Sequence, residues 1–135
     1  MTAVDVIRTV PTELPFDELW AMVGDAAQWS GWMVDRADLV VEPGASGTVH
    51  DRGASRTVQV GNVGDGRLTF TWWPVGDDHR ASTVELAVLP TAVGSTLHIT
   101  ERFTARASAE SASAGIAWDV RTLLLVLAFC AVAMA

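Results

Sequence analysis

Between Leu68 and Phe103 the chain runs three times through alternating large apolar and polar residues, a pattern that antiparallel β-hairpins satisfy and helices do not. The runs are Leu68-Thr69-Phe70-Thr71-Trp72-Trp73-Pro74, then Ser82 to Pro90, then Thr96 to Phe103. Gly76-Asp77-Asp78 and Val93-Gly94 separate them with turn chemistry. Period-two parity puts Leu68, Phe70 and Trp72 on one face, with Val84, Leu86 and Val88 matching them on the next run. In the third run Leu97, Ile99, Glu101 and Phe103 share a face. Glu101 breaks the apolar series. A carboxylate among such neighbours suggests a lined cavity more than a close-packed sandwich.

The flanking segments complete the architecture. Thr2 to Val10 is rich in β-branched residues and reads as a strand, ended by Pro11. Pro15 suits a first helical turn, and Phe16, Leu19, Trp20 and Val23 then recur as one buried stripe. Asp17 and Glu18 complement the helix dipole in that turn, and Gly24 stops the helix. Asp25 can cap a second short helix that runs through Trp29 and ends at Gly31. Arg36 to Glu42, Thr48 to Arg52 and Arg56 to Val60 read as further strands, with Gly61 to Gly66 as a hairpin turn. Ala105 to Gly115 has no large apolar residue and reads as a linker or a frayed helix start. The last helix is expected from about Ile116. The order is therefore strand, two helices, six strands in hairpins, one long helix. That predicts an α+β chain, a single domain over 1–135, with a curved antiparallel sheet wrapped around a long C-terminal helix.

Composition excludes several functions. Net charge is −7, and the first fifty-one residues hold nine acids against Arg8 and Arg36, so nucleic acid is a disfavoured partner. Every Lys-or-Arg position is Arg. The one cysteine, Cys130, permits no internal disulfide, which suits a cytoplasmic location, and the N-terminus lacks the pattern of a signal peptide. Leu123 to Ala135 is uncharged but only thirteen residues long, with Arg121 and Asp119 just upstream, so a core helix is preferred to a membrane anchor.

Four stretches carry a family resemblance: Pro15 to Trp20, Trp29 to Trp32, Leu68 to Pro74, and Thr96 to Phe103 followed by Trp118. On them the chain resembles the START-like, helix-grip (SRPBCC) superfamily. Within it, the chain is most similar to bacterial homologues of the C-terminal domain of the heat-shock-protein-90 ATPase activator. The resemblance covers nearly the whole chain. It implies a helix-grip fold and leaves the activity open, because the superfamily is defined by shape more than by a catalytic signature. The small, polar 105–115 stretch and the very apolar last helix depart from the pattern, and both bear on the pocket mouth.

Glu101 heads the candidate site residues. Buried alone, it could donate a proton or a hydrogen bond. Paired with an Arg or a Trp N–H, it would be structural. Trp72, Phe70, Ile99, Trp118 and Trp32 are expected to join it around a ligand, since indoles offer broad apolar walls with one donor each. His50, His79 and His98 are scattered and follow no metal-ligand spacing, and no phosphate-loop, dinucleotide or nucleophile-elbow motif is present. No metal and no cofactor are expected. The leading function is binding of a small hydrophobic molecule between sheet and last helix. The alternatives are a chaperone ATPase activator-like cofactor, which the resemblance implies, and a cyclase- or hydrolase-type enzyme using Glu101. The last helix, apolar all round after Thr122, leaves one face to be covered, and a homodimer through Leu124, Leu125 and Phe129 would cover it.

Overall fold

The chain enters as β1 (Val4–Thr12) and makes two short helices, α1 (Phe16–Val23) and α2 (Ala26–Trp29). It then lays down β2 (Arg36–Asp38), β3 (Ser46–Asp51), β4 (Ala54–Gly64), β5 (Arg67–Pro74), β6 (Ser82–Thr91) and β7 (Gly94–Phe103), and ends in α3 (Ser108–Met134). The computed structural model describes residues 4–103 and 108–134, with side chains described over 5–103 and 113–128. The strands form one antiparallel sheet in the order β1-β7-β6-β5-β4-β3-β2. With its curved sheet, its long C-terminal helix and the two short helices after β1, this is an α+β helix-grip fold.

Short connections make β2 to β7 neighbours in sequence order. β1 is the exception. It crosses to the far edge and pairs with β7 along its length, from Val4 opposite Phe103 to Thr12 opposite Ser95. Two hairpins close on two-residue turns with both central residues left-handed: Arg52 (φ 54°) with Gly53 (φ 78°), and Asp65 (φ 54°) with Gly66 (φ 77°). Such turns match the natural twist of paired strands. Gly66 carries a second constraint, because a Cβ there would sit 2.6 Å from the Phe16 ring.

Several boundaries differ from the sequence reading. Gly61 to Gly64 is strand and not turn: β4 continues through a bulge, with Val60 opposite Phe70 but Val63 opposite Leu68. One extra residue on β4 is accommodated there, and the strand bends. Asn62 N–H donates to Thr69 Oγ1 at 2.9 Å across the irregularity. β2 keeps only its first three residues in the sheet and Val40 is exposed. Most of 105–115 proves helical, since α3 begins at Ser108. Ala, Ser and Glu permit a helix without supplying the large apolar residues by which one is recognised.

Burial follows strand parity. Leu68, Phe70 and Trp72 are buried on β5, Val84, Leu86 and Val88 on β6, and Leu97, Ile99 and Glu101 on β7. Val58 and Val60 extend the same face onto β4. α1 adds Leu19 and Val23, and α2 adds Trp29. α3 closes the layer with Gly115, Trp118, Arg121 and Leu125, a stripe at spacing three, three and four. Leu123 and Leu127 lie exposed on its other side. Among the described residues, no helix is long and apolar enough to cross a membrane.

Candidate functional site

The inward row at one end of the sheet determines the site. Trp72 on β5 pairs directly with Ser82 on β6, and Ser82 pairs with Phe103 on β7, two residues beyond Glu101. Arg56 on β4 is in line with Val58 and Val60, and Val58 is the direct partner of Trp72. Arg56, Trp72, Ser82 and Glu101 therefore converge across four strands, because diagonal neighbours on one face lie within side-chain reach. Trp118 and Arg121, one helical turn apart on α3, come down onto this row.

Glu101 is only 2% exposed. Its Oε2 accepts from Trp72 Nε1 at 2.8 Å and from the Ser82 hydroxyl, and its Oε1 accepts from Trp118 Nε1 at 2.9 Å. Trp72 Nε1 also reaches Ser82 Oγ at 3.1 Å. Both carboxylate oxygens thus act as acceptors for donors on β5, β6 and α3. A carboxylate can be buried at tolerable cost in this way.

Arg121 is the second buried charge, 5% exposed. Its Nε donates to the Met33 carbonyl at 2.9 Å and its Nη2 to Asp51 Oδ2 at 3.0 Å, so it ties α3 to the segment after α2 and to the end of β3. Its plane lies over two indoles, with Cζ 4.7 Å from the Trp118 ring centre and 5.2 Å from that of Trp72. Arg56 Cζ sits 4.5 Å from the same Trp72 ring. Burial pushes the Arg121 guanidinium below the ordinary arginine value. The hydrogen bond and charge of Asp51 pull it back up, the Arg56 charge lowers it, and the Glu101 charge raises it. Arginine stays protonated through such shifts. Its Nη1 is buried and has no hydrogen-bond partner among the described residues. An unmade bond of that kind costs about 1–3 kcal/mol, and more for a charged group.

Beside these residues a cleft of about 490 Å³ opens between α3 and the β3 to β7 end of the sheet. Trp72, Ser82 and Glu101 reach it, Phe103, Ala114, Ile116 and Ala117 give it an apolar side, and Arg52, Arg56, Arg80 and Arg121 give it a basic one. The tight turn at Arg52 and Gly53 places Arg52 at the rim, where its backbone N–H donates to Asp35 Oδ2 at 2.9 Å.

The residues expected at the site separate into two groups. Trp72 and Glu101 line the cleft, and Trp118 is bonded to Glu101. Phe70, Ile99 and Trp32 are buried in the core and do not line the cleft. Ring centres run 5.5 Å from Trp29 to Phe70, 5.2 Å from Phe70 to Trp72 and 6.3 Å from Trp72 to Trp118. Aromatic rings fill the space between sheet and helix in which an apolar cavity is expected. Trp32 turns its N–H to the Met22 carbonyl at 3.2 Å, next to a separate cleft of about 120 Å³. Arg121, Arg56, Ser82 and Asp51 escape the sequence reading. The parity of Ser82 with Val84 and of Arg56 with Val58, and the helical spacing of Arg121 from Trp118, were the available signals. Among the described residues no group of three or more His, Cys, Asp or Glu could hold a metal ion. The Cys130 side chain lies outside the described residues.

No protein-family model matches the chain, and no curated protein matches it. Solved structures do. DynU16, a protein in the dynemicin biosynthetic locus, is similar at 26% identity with a TM-score of 0.77, over 91% of this chain and 45% of its own. This chain thus spans less than half of DynU16. CalU16 from Micromonospora echinospora is similar at 18% identity and a TM-score of 0.71, over 93% of this chain and 74% of its own. Protein MLL2253 from Mesorhizobium loti reaches a TM-score of 0.78 at 18% identity, over 90% of this chain and 96% of its own. Likenesses this distant show the fold.

Proposed function

We propose that the chain is a START-like ligand-binding protein that holds a small molecule with an apolar body in the cleft between α3 and the end of the sheet. The observation that carries this reading is the cleft itself. At about 490 Å³ it falls within the size of small-molecule sites, and it has one apolar wall and several convergent polar groups. Glu101 works here as the internal anchor that fixes Trp72, Ser82 and Trp118, and so fixes the floor on which a ligand rests. Two of the similar structures, DynU16 and CalU16, share the fold, and the first is described as a protein in a biosynthetic locus. That suits binding of a metabolite. The single cysteine suits a cytoplasmic setting.

Native mass spectrometry of freshly purified protein tests the reading. A co-purified small molecule whose presence raises the melting temperature supports it. Protein free of ligand, unmoved in melting temperature by a panel of apolar small molecules, refutes it. An enzyme using Glu101 as acid or base is the weaker reading, because both of its oxygens are already engaged by protein donors. A chaperone ATPase activator-like role, implied by the family resemblance, has one feature in its favour, the exposed apolar face of α3 at Leu123 and Leu127. Stimulation of the host chaperone's ATPase by added protein would establish it.

A further inference from the structure

The polar half of the cleft is specific enough to say what kind of head group it takes. Arg52, Arg56 and Arg121 border it against two carboxylates, Asp51 and Glu101, and Arg80, which is already engaged in an interaction of its own, stands at its edge. The chain has nine arginines and a net charge of −7, so this is a basic spot on an acidic protein. Neither carboxylate is uncommitted. Asp51 is bonded to Arg121 Nη2, and Glu101 accepts from Trp72, Ser82 and Trp118. Two like charges, Arg56 and Arg121, approach the same indole at 4.5 and 5.2 Å. The two charges repel each other, a repulsion that the Asp51 and Glu101 charges beside them oppose and that a bound anion would oppose further. Independently of the charge count, Arg121 is 5% exposed, lines the cleft and keeps Nη1 without an acceptor among the described residues. A buried donor of this kind is left unsatisfied by the chain, and a partner entering from the cleft reaches it once the enclosed Nη1 shifts toward the opening.

We infer that the cleft binds an organic oxyanion, a carboxylate by preference, with its negative oxygens against Arg121 and Arg56 and its carbon body against Phe103, Ala114, Ile116 and Ala117. This rests on the ligand-binding reading of the cleft and adds the head group to it. The planar guanidinium fork matches a carboxylate geometrically, and the apolar wall gives an organic acid a grip that an inorganic anion lacks. Arg121 receives the head group, and Asp51 and the Met33 carbonyl hold its fork in place.

The test uses two probes of nearly equal shape, 2-naphthoate and its neutral amide 2-naphthamide, titrated calorimetrically into the full chain at low and at physiological salt. The expected result is that naphthoate binds about tenfold or more tighter, as one charge-assisted contact requires, with the preference shrinking as salt rises. Arg56→Gln, which breaks no hydrogen bond or ion pair among the described residues, should weaken naphthoate severalfold more than it weakens naphthamide. Arg121→Lys, which keeps the charge but not the fork, should cut the preference too, and if that variant does not fold, Arg56→Gln and the salt series decide alone. Equal affinity for the two probes would overturn the oxyanion inference and leave the ligand-binding reading standing. A preference untouched by both substitutions would overturn it as well, since the charge would be read elsewhere. Failure of both probes to bind at millimolar concentration would remove the ligand-binding reading and the inference with it. Competition by inorganic phosphate at the same strength as naphthoate would show a bare anion site and refute the organic one.

Discussion

Replacing Glu101 with Gln tests whether the carboxylate is the hub of the fold's polar centre. Three donors converge on its two oxygens: Trp72 Nε1 and the Ser82 hydroxyl on Oε2, and Trp118 Nε1 on Oε1. Gln offers one acceptor oxygen and one NH2 in the same volume. The better orientation keeps the carbonyl on the Trp72–Ser82 side, which saves two bonds. The amide NH2 then faces the Trp118 N–H, so a bond to a charged acceptor is lost and two buried donors oppose each other. The cost works out at about 2–4 kcal/mol. At 2% exposure no solvent relieves it. Urea denaturation at neutral pH reads this as a midpoint lowered by roughly 1–2 M, given a slope of about 2 kcal/mol per M. The Trp118→Phe change removes the opposed donor. It should therefore cost less in the Glu101→Gln background than in the native chain, by about 1–2 kcal/mol of coupling. A Glu101→Gln protein within about 0.5 kcal/mol of the native one, or additive effects in the cycle, would refute the hub.

Three further outcomes are expected. Leu125→Ala should destabilise by about 2–5 kcal/mol while Leu123→Ala changes little, because Leu125 is 0% and Leu123 59% exposed; equal effects in denaturation would mean α3 packs on another face. Arg8 bonds Asp119 at 2.7 Å, and that hydrogen bond holds the carboxyl below its usual value. A carboxyl with a lower pKa folded than unfolded stabilises the fold above its unfolded value near pH ~4, and the gain is lost as pH falls through the folded value. Carboxyl NMR titration should show the Asp119 midpoint rise in Arg8→Gln, and an unmoved midpoint would reject the assignment. A homodimer through the outer face of α3 remains our proposal, using Leu123, Leu124 and Leu127; Leu125 serves this chain's own core, and the Phe129 side chain lies outside the described residues. Sedimentation at micromolar concentration should give a dimer that Leu123→Glu with Leu127→Glu splits, and a monomeric native chain would end that proposal.

Strand content was legible because period-two alternation and Gly-Asp turns report local geometry directly, whereas Pro11 does not end β1, an edge strand that runs past it to Thr12. Leu68, Phe70 and Trp72 follow the alternation, as does the inward position of Glu101. The bulge at Gly61 and Asn62 was not legible, because it arises from pairing with Thr69 on another strand. The start of α3 at Ser108 was hidden by residues too small to mark a face. At the site, type and parity brought out the acid and the indoles, whereas which of them would line open space depended on how rings pack. Phe70 and Ile99 have the right parity and are nevertheless enclosed, because the Trp29–Phe70–Trp72–Trp118 chain fills the volume beside them. The arginines were missed because each looks like a surface charge until register and helix packing bring them together.

Arg121 separates a cleft built for binding from an accident of packing. A buried ion pair is a poor route to stability, since an apolar replacement of similar volume is often as stable or more so. Arg121→Met alone leaves Asp51 without its partner and should cost about 3 kcal/mol, the lower end of the range for breaking such pairs because Asp51 keeps about a fifth of its side chain in water. Arg121→Met with Asp51→Asn removes the unpaired charge and should recover most of that loss in the same denaturation assay. If it does, the guanidinium contributes little net stability, and its place on the floor of the cleft is better explained by what it binds. If the double variant is no more stable than the single one, Arg121 is held by its bond to the Met33 carbonyl and its two indoles, and its role is structural.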